Sequence, residues 1–156
     1  MWLAVVVPPM LLLGTNDGVF RWDGERERVT DRRLDGGGGL TVFRVRAFGD
    51  ARYAATERGL YRSTDGGATW TDCEVPTGPV YSVTRTPDGG EPSAARRVSS
   101  DERSESDGES LFAGTFPVHV YRSADDGETW TEHEGIREVP SAETWGTPRH
   151  DDAAQV

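Results

Sequence analysis

Internal repetition constrains this chain more than any other feature of its sequence. Three segments align: Leu11 to Arg21, Arg52 to Arg62, and Leu111 to Arg122, the last with one extra residue. The aromatic residue before the closing arginine stands at positions 20, 61 and 121, so the spacings are 41 and 60 residues. Each segment predicts a strand, a tight turn and a second strand. The turns are built on Asp17-Gly18 and Arg58-Gly59, where glycine supplies a positive φ.

Two of the segments run on into a second motif. Ser63, Asp65, Gly67, Thr69 and Trp70 recur as Ser123, Asp125, Gly127, Thr129 and Trp130, both fitting S-x-D-x-G-x-T-W. The spacing has a mechanical reading. The aspartate accepts backbone N–H groups of its own loop. The glycine adopts a conformation closed to a residue with a Cβ, and the tryptophan begins the next strand with a large apolar ring. The motif then fixes a hairpin corner. A calcium loop, with Asp126 adding oxygens beside Asp125, is the alternative, but an EF-hand pattern needs more carboxylates and a closing glutamate.

A further strand precedes each unit. Thr41 to Phe48 aligns with Pro79 to Arg85 through Val42/Val80, Phe43/Tyr81 and Val45/Val83. Four antiparallel strands in about 40 residues form a propeller blade. The expected fold is therefore all-β: a partial β-propeller of about three four-stranded antiparallel blades, over residues 2–34, 40–78 and 79–134. The first blade is degenerate, with Leu3–Val7 and Met10–Leu13 as strands split by prolines and a short Asp23-Gly24 hairpin. Residues 86–110 are polar and free of aromatics, and predict a disordered acidic insert between the first two strands of the third blade. Residues 135–156 form a tail that reads as the start of a missing blade.

Charge narrows the partners. The net charge is −10, with 17 basic residues against 27 acidic ones, and every basic residue is an arginine. Acidic, lysine-free chains suit molar salt, as in halophilic archaea; a GC-rich genome is the other source of the arginine bias. Residues 111–156 carry three arginines against nine acids. That third argues against nucleic acid, which would require a basic face. Cys73 is the only cysteine, which excludes an intrachain disulfide and a thiolate metal site; it reads as a small buried residue. The apolar start lacks a basic leader region and is too short to span a bilayer. These readings imply a cytoplasmic protein with neither membrane nor nucleic-acid partner and no cofactor.

The strings at 63–70 and 123–130 resemble the Asp-box, or BNR, repeat. It occurs in sialidase-type propellers, in Vps10-type sorting receptors and in photosystem II assembly factors. The L-x-x-G-T…G-V-Y-R pattern before the box is similar to a group of prokaryotic BNR-repeat proteins described as glycosyl hydrolase-like on fold analogy. In these families the box is a structural corner away from the ligand face. Sialidase activity does not carry over residue by residue. Its early Arg-Ile-Pro motif has only Phe43-Arg44-Val45-Arg46 as a counterpart here, and its arginine triad, tyrosine nucleophile and acid aspartate span six blades.

Blade topology directs the search for a site to the face opposite the Asp-box corners, near the axis. That face should present Asn16, Asp17, Glu57, Arg58 and His119, with Arg44 and Arg46 on the innermost strand. Asp17 and Glu57 can be read as an acid–base pair, or as turn residues, Glu57 pairing with Arg58 or solvent. Arg44 and Arg46 share one side of a strand and suit a carboxylate or phosphate, or interblade ion pairs. No catalytic and no metal-ligating residue is assigned. The expected function is a non-catalytic scaffold or binding module, a fragment of a longer protein or one that self-associates through open blade edges. A sialidase-like glycoside hydrolase, active only as an oligomer or in a longer chain, is the alternative. An assembly-factor role is a third reading.

Overall fold

The computed structural model describes residues 10–23, 28–34, 39–86 and 109–140. The expected strand at Leu3–Val7, the interior of the acidic insert and the tail beyond Pro140 lie outside the described residues. Among the described residues, eleven strands form three antiparallel sheets. Sheet 1 holds β1 (Met10–Thr15), β2 (Gly18–Asp23) and β3 (Arg28–Leu34) in that order. Sheet 2 holds β4 (Val42–Phe48), β5 (Ala51–Thr56), β6 (Gly59–Ser63) and β7 (Thr71–Asp72). Sheet 3 repeats it with β8 (Val80–Arg85), β9 (Leu111–Thr115), β10 (Val120–Ser123) and β11 (Thr131–Glu132). A 3₁₀ helix over Glu134–Glu138 follows.

Three local readings are corrected. The first hairpins centre one residue earlier than expected: Thr15 pairs with Gly18 and Thr56 with Gly59. The turn residues are thus 16–17 and 57–58, and glycine closes each hairpin at φ 106° and 140°. Asp23 lies inside a strand, paired with Arg28, rather than in a two-residue turn. The insert is narrower than 86–110, because the Thr86 N–H donates to the Ser110 carbonyl at 2.9 Å and carries the β8–β9 ladder beyond Arg85.

The repeat is visible in the packing. Between sheets 1 and 2 lie Val19, Leu34, Leu40, Val42 and Ala54, with Leu12, Val45, Tyr61 and Trp70 against them. Between sheets 2 and 3 lie Tyr53, Ala55, Leu60, Cys73, Val80, Val83, Leu111 and Tyr121 among others, with Phe48, Val75 and Trp130 against them. Side chains alternate across a strand, so each sheet shows one face to the sheet before it and the other to the sheet after it. We call these its leading and trailing faces. Gly14 sits where a Cβ would stand 2.8 Å from Val42 Cγ1. Only glycine lets β1 come this close to β4.

Each S-x-D-x-G-x-T-W segment is a closed hydrogen-bond unit. The Ser63 hydroxyl donates to Asp65 Oδ1 at 2.8 Å and accepts the Gly67 N–H at 2.8 Å. Asp65 also accepts the N–H groups of Ala68 and Thr69 and the Thr69 hydroxyl. Ser123, Asp125, Gly127, Glu128 and Thr129 repeat this set. Hydrogen bonds from Thr69 and Ser63 hold the Asp65 carboxyl far below the usual carboxylate range. The equivalent bonds lower Asp125 to about 2. Gly67 and Gly127 take φ of 91° and 96°. Asp126, read as an extra calcium oxygen, instead pairs with Arg85 of its own sheet and with Arg62 across the sheet 2–sheet 3 boundary.

Candidate functional site

The site grows from a repeated irregularity in the two inner strands. In β4 the register jumps between Val42 and Arg44, which makes Phe43 an extra residue. In β8 it jumps between Val80 and Ser82, which makes Tyr81 extra. A bulge re-aims the side chain it adds. Here two equivalent bulges bring two rings together: Phe43 and Tyr81 stack with centroids 4.2 Å apart and planes at 11°.

Beside this pair opens a cavity of about 490 Å³. Arg44 and Ser82 lie next to the rings in sequence, and Thr115, His119 and Val120 form a further wall. The wall comes from the third hairpin, where the extra residue of the repeat lengthens the β9–β10 connection to 116–119. Its geometry is set by the Thr115 hydroxyl, which donates to the Pro117 carbonyl at 2.9 Å, and by the Thr115 N–H, which donates to the His119 carbonyl at 3.1 Å. Glu132 on β11 accepts the His119 Nδ1–H at 2.7 Å. A carboxylate on Nδ1 fixes the ring orientation and leaves Nε2 as the acceptor of the neutral imidazole. His119 also stacks on Tyr121, with centroids 5.9 Å apart.

Of the residues expected on this face, the structure brings Arg44 and His119 to one cavity. Arg46 is exposed further along β4 and does not line it. Glu57 holds the linker into β4: its carboxylate accepts the Thr41 N–H at 3.2 Å, and its own N–H donates to the Thr41 carbonyl. Arg58 donates to the Gly39 carbonyl of the same linker. Asn16 and Asp17 form the β1–β2 turn, which Thr15 closes by accepting the Asp17 N–H and donating to the Gly18 carbonyl. Thr56 does the same in the second hairpin. Sequence reasoning missed Phe43 and Tyr81 as site residues, although their alignment was visible. It also missed Glu132, whose partner is 13 residues away on another strand.

On the opposite face a second groove of about 370 Å³ runs between the two aspartate corners, past Arg62, Thr69 and Asp72 to Cys73. Burial pushes the Cys73 thiol up to about 12, so it stays protonated and unreactive.

No protein-family model and no curated protein matches this sequence. Among solved structures, YCF48 bound to D1 peptide superposes with a TM-score of 0.52 at 15% identity. The fold is that of a partial β-propeller. The match covers 80% of this chain and 37% of that one, so this chain spans little more than a third of its structural neighbour. At this identity the likeness is one of architecture.

Proposed function

We propose that this chain is a non-catalytic binding module that takes a segment of another protein at the cavity beside Phe43 and Tyr81. The carrying observation is the makeup of that cavity: a stacked aromatic pair, one arginine, and a carboxylate-oriented histidine at the ends of the inner strands. An aromatic slab gives contact area to an apolar or proline side chain. Arg44 supplies a planar donor for a carboxylate. The architectural neighbour was solved with a peptide bound, which supports a peptide reading. Glu57, one of the two carboxylates the glycoside-hydrolase alternative would use, accepts the Thr41 N–H and holds the linker into β4, which favours its turn role.

The test is an array of random-sequence peptides probed with the full chain, with Tyr81→Ala and Arg44→Glu in parallel. The wild-type chain should retain a subset sharing an apolar residue near an acidic one. Both variants should lose that subset by about tenfold or more in Kd, equal to about 1.4 kcal/mol. An array with no retained peptides, or retention untouched by both substitutions, overturns the proposal.

A further inference from the structure

Two internal boundaries of this molecule are copies of one interface. Tyr53, Ala55 and Leu60 form the trailing face of sheet 2, all fully buried under sheet 3. Leu12 and Gly14, at the positions of Tyr53 and Ala55 in the repeat, lie over Gly67 and Val42 of sheet 2. The same trailing positions in sheet 3 are Phe112, Gly114 and Val120, which pair across β9 and β10 as their counterparts do. Phe112 and Val120 are only partly buried. Sheet 3 thus carries a docking face of the same design, with no further sheet among the described residues to cover it.

The opposite half of the interface stands at the other end of the molecule. The leading face of sheet 1 carries Leu11 and Leu13 from β1, Trp22 opposite Leu11, and Val29 opposite Trp22. Leu11 is 48% exposed and Val29 51%. An apolar patch of this kind on a sheet face marks an interaction surface.

We propose that the trailing face of sheet 3 receives the leading face of sheet 1 from a second copy of this chain. The contact is heterologous, and such contacts close into rings when the rotation allows. Two copies, each with three sheets among the described residues, close into a six-sheet ring with two identical new interfaces, within the range of propeller sizes. A docked copy covers Gly114 and Val120, as Ala55 and Leu60 are covered within the chain, and so takes that side of the cavity, leaving Phe43, Arg44, Tyr81 and His119 to a ligand. The inner strand stays open to the axis: Arg44, the counterpart of Ser82, remains exposed although sheet 3 packs against its neighbours. The partner's first sheet then borders the cavity.

The experiment is light scattering after size exclusion on the full chain in molar KCl, with circular dichroism on each sample. The wild-type chain should run at twice its 17.1 kDa mass. Val29→Arg on the leading face and Phe112→Glu on the trailing face should each give a folded monomer. Mixed, these two variants should recover the doubled mass, because each keeps the face the other has lost. Val120→Asp replaces Phe112→Glu should that variant unfold. A folded wild-type monomer overturns the proposal and leaves the face to a sheet of a longer chain. A dimer indifferent to the substitutions, or an open ladder of higher masses, overturns it as well.

Discussion

At the scale of single residues, the two aspartate corners show how an exposed carboxylate becomes structural. Asp125 takes hydrogen bonds from the Thr129 hydroxyl and N–H, the Ser123 hydroxyl and the Glu128 N–H. All of them favour the ionised form, so the folded-state value falls to about 2, against about 3.9 for an unperturbed aspartate. The sign follows from linkage. Between those two values the unfolded chain binds more protons than the folded one, so stability rises with pH there. The contribution of Asp125 is therefore complete above about pH 5 and drains away as pH falls towards 2. Asp65 adds to the same acid limb and extends it lower. Urea midpoints measured across this range should fall more steeply for the wild-type chain than for Asp125→Asn. Parallel curves would mean that the corner is held by its backbone alone.

At the scale of elements, strands meet where small residues allow it. A Cβ on Gly14 would meet two side-chain atoms of Val42 and one of Val45, at 2.8 to 3.3 Å. The β4 backbone cannot move away at either valine, since Val42 is in register with Thr56 of β5 and Val45 with Ala54. Gly14→Ala should therefore cost about 1–3 kcal/mol by overpacking, read as a lower urea midpoint with unchanged slope. Gly135→Ala, where a Cβ meets nothing within 4 Å, is the control and should change little. The same packing separates what was legible in the sequence from what was not. Periodic apolar residues and the doubled S-x-D-x-G-x-T-W string disclosed the strands, because both signals are local. The Tyr53 hydroxyl donating to the Asp126 carbonyl at 2.9 Å joins residues 73 apart. The Trp130 indole donating to the Cys73 carbonyl at 2.8 Å joins residues 57 apart. Such bonds depend on how one sheet is rotated against the next, which no window of sequence encodes. The cavity was half legible for that reason. Its face followed from strand direction, and Arg44 and His119 from the face. The ring pair depended on two bulges, and Asp23 was misplaced because an Asp-Gly pair imitates a tight turn without having to be one.

At the scale of the whole molecule, charge opposes compactness. A net charge of −10 on 156 residues repels itself, and folding concentrates that repulsion. Salt acts on two groups of charges in opposite directions. It screens the many exposed carboxylates, which stabilises the fold, and it weakens the bridges from Arg62 and Arg85 to Asp126, which destabilises it. The first effect wins, because the Asp126 side chain is 49% exposed and such pairs contribute about 0–1 kcal/mol at most, whereas the repulsion sums over the whole surface. The melting temperature should therefore rise from low salt to molar KCl. From low salt up to about 0.1 M, over which the Debye length falls from about 30 Å to about 10 Å, KCl and potassium sulfate at equal ionic strength should act alike, because screening depends on ionic strength and not on the anion. Asp126→Asn removes one carboxylate as well as the two bridges, so its melting temperature should differ from that of the wild-type chain most at low salt and converge with it as salt rises, because salt weakens both effects. A melting temperature that falls with KCl would mean that the bridges, and not the repulsion, dominate the electrostatics of this fold.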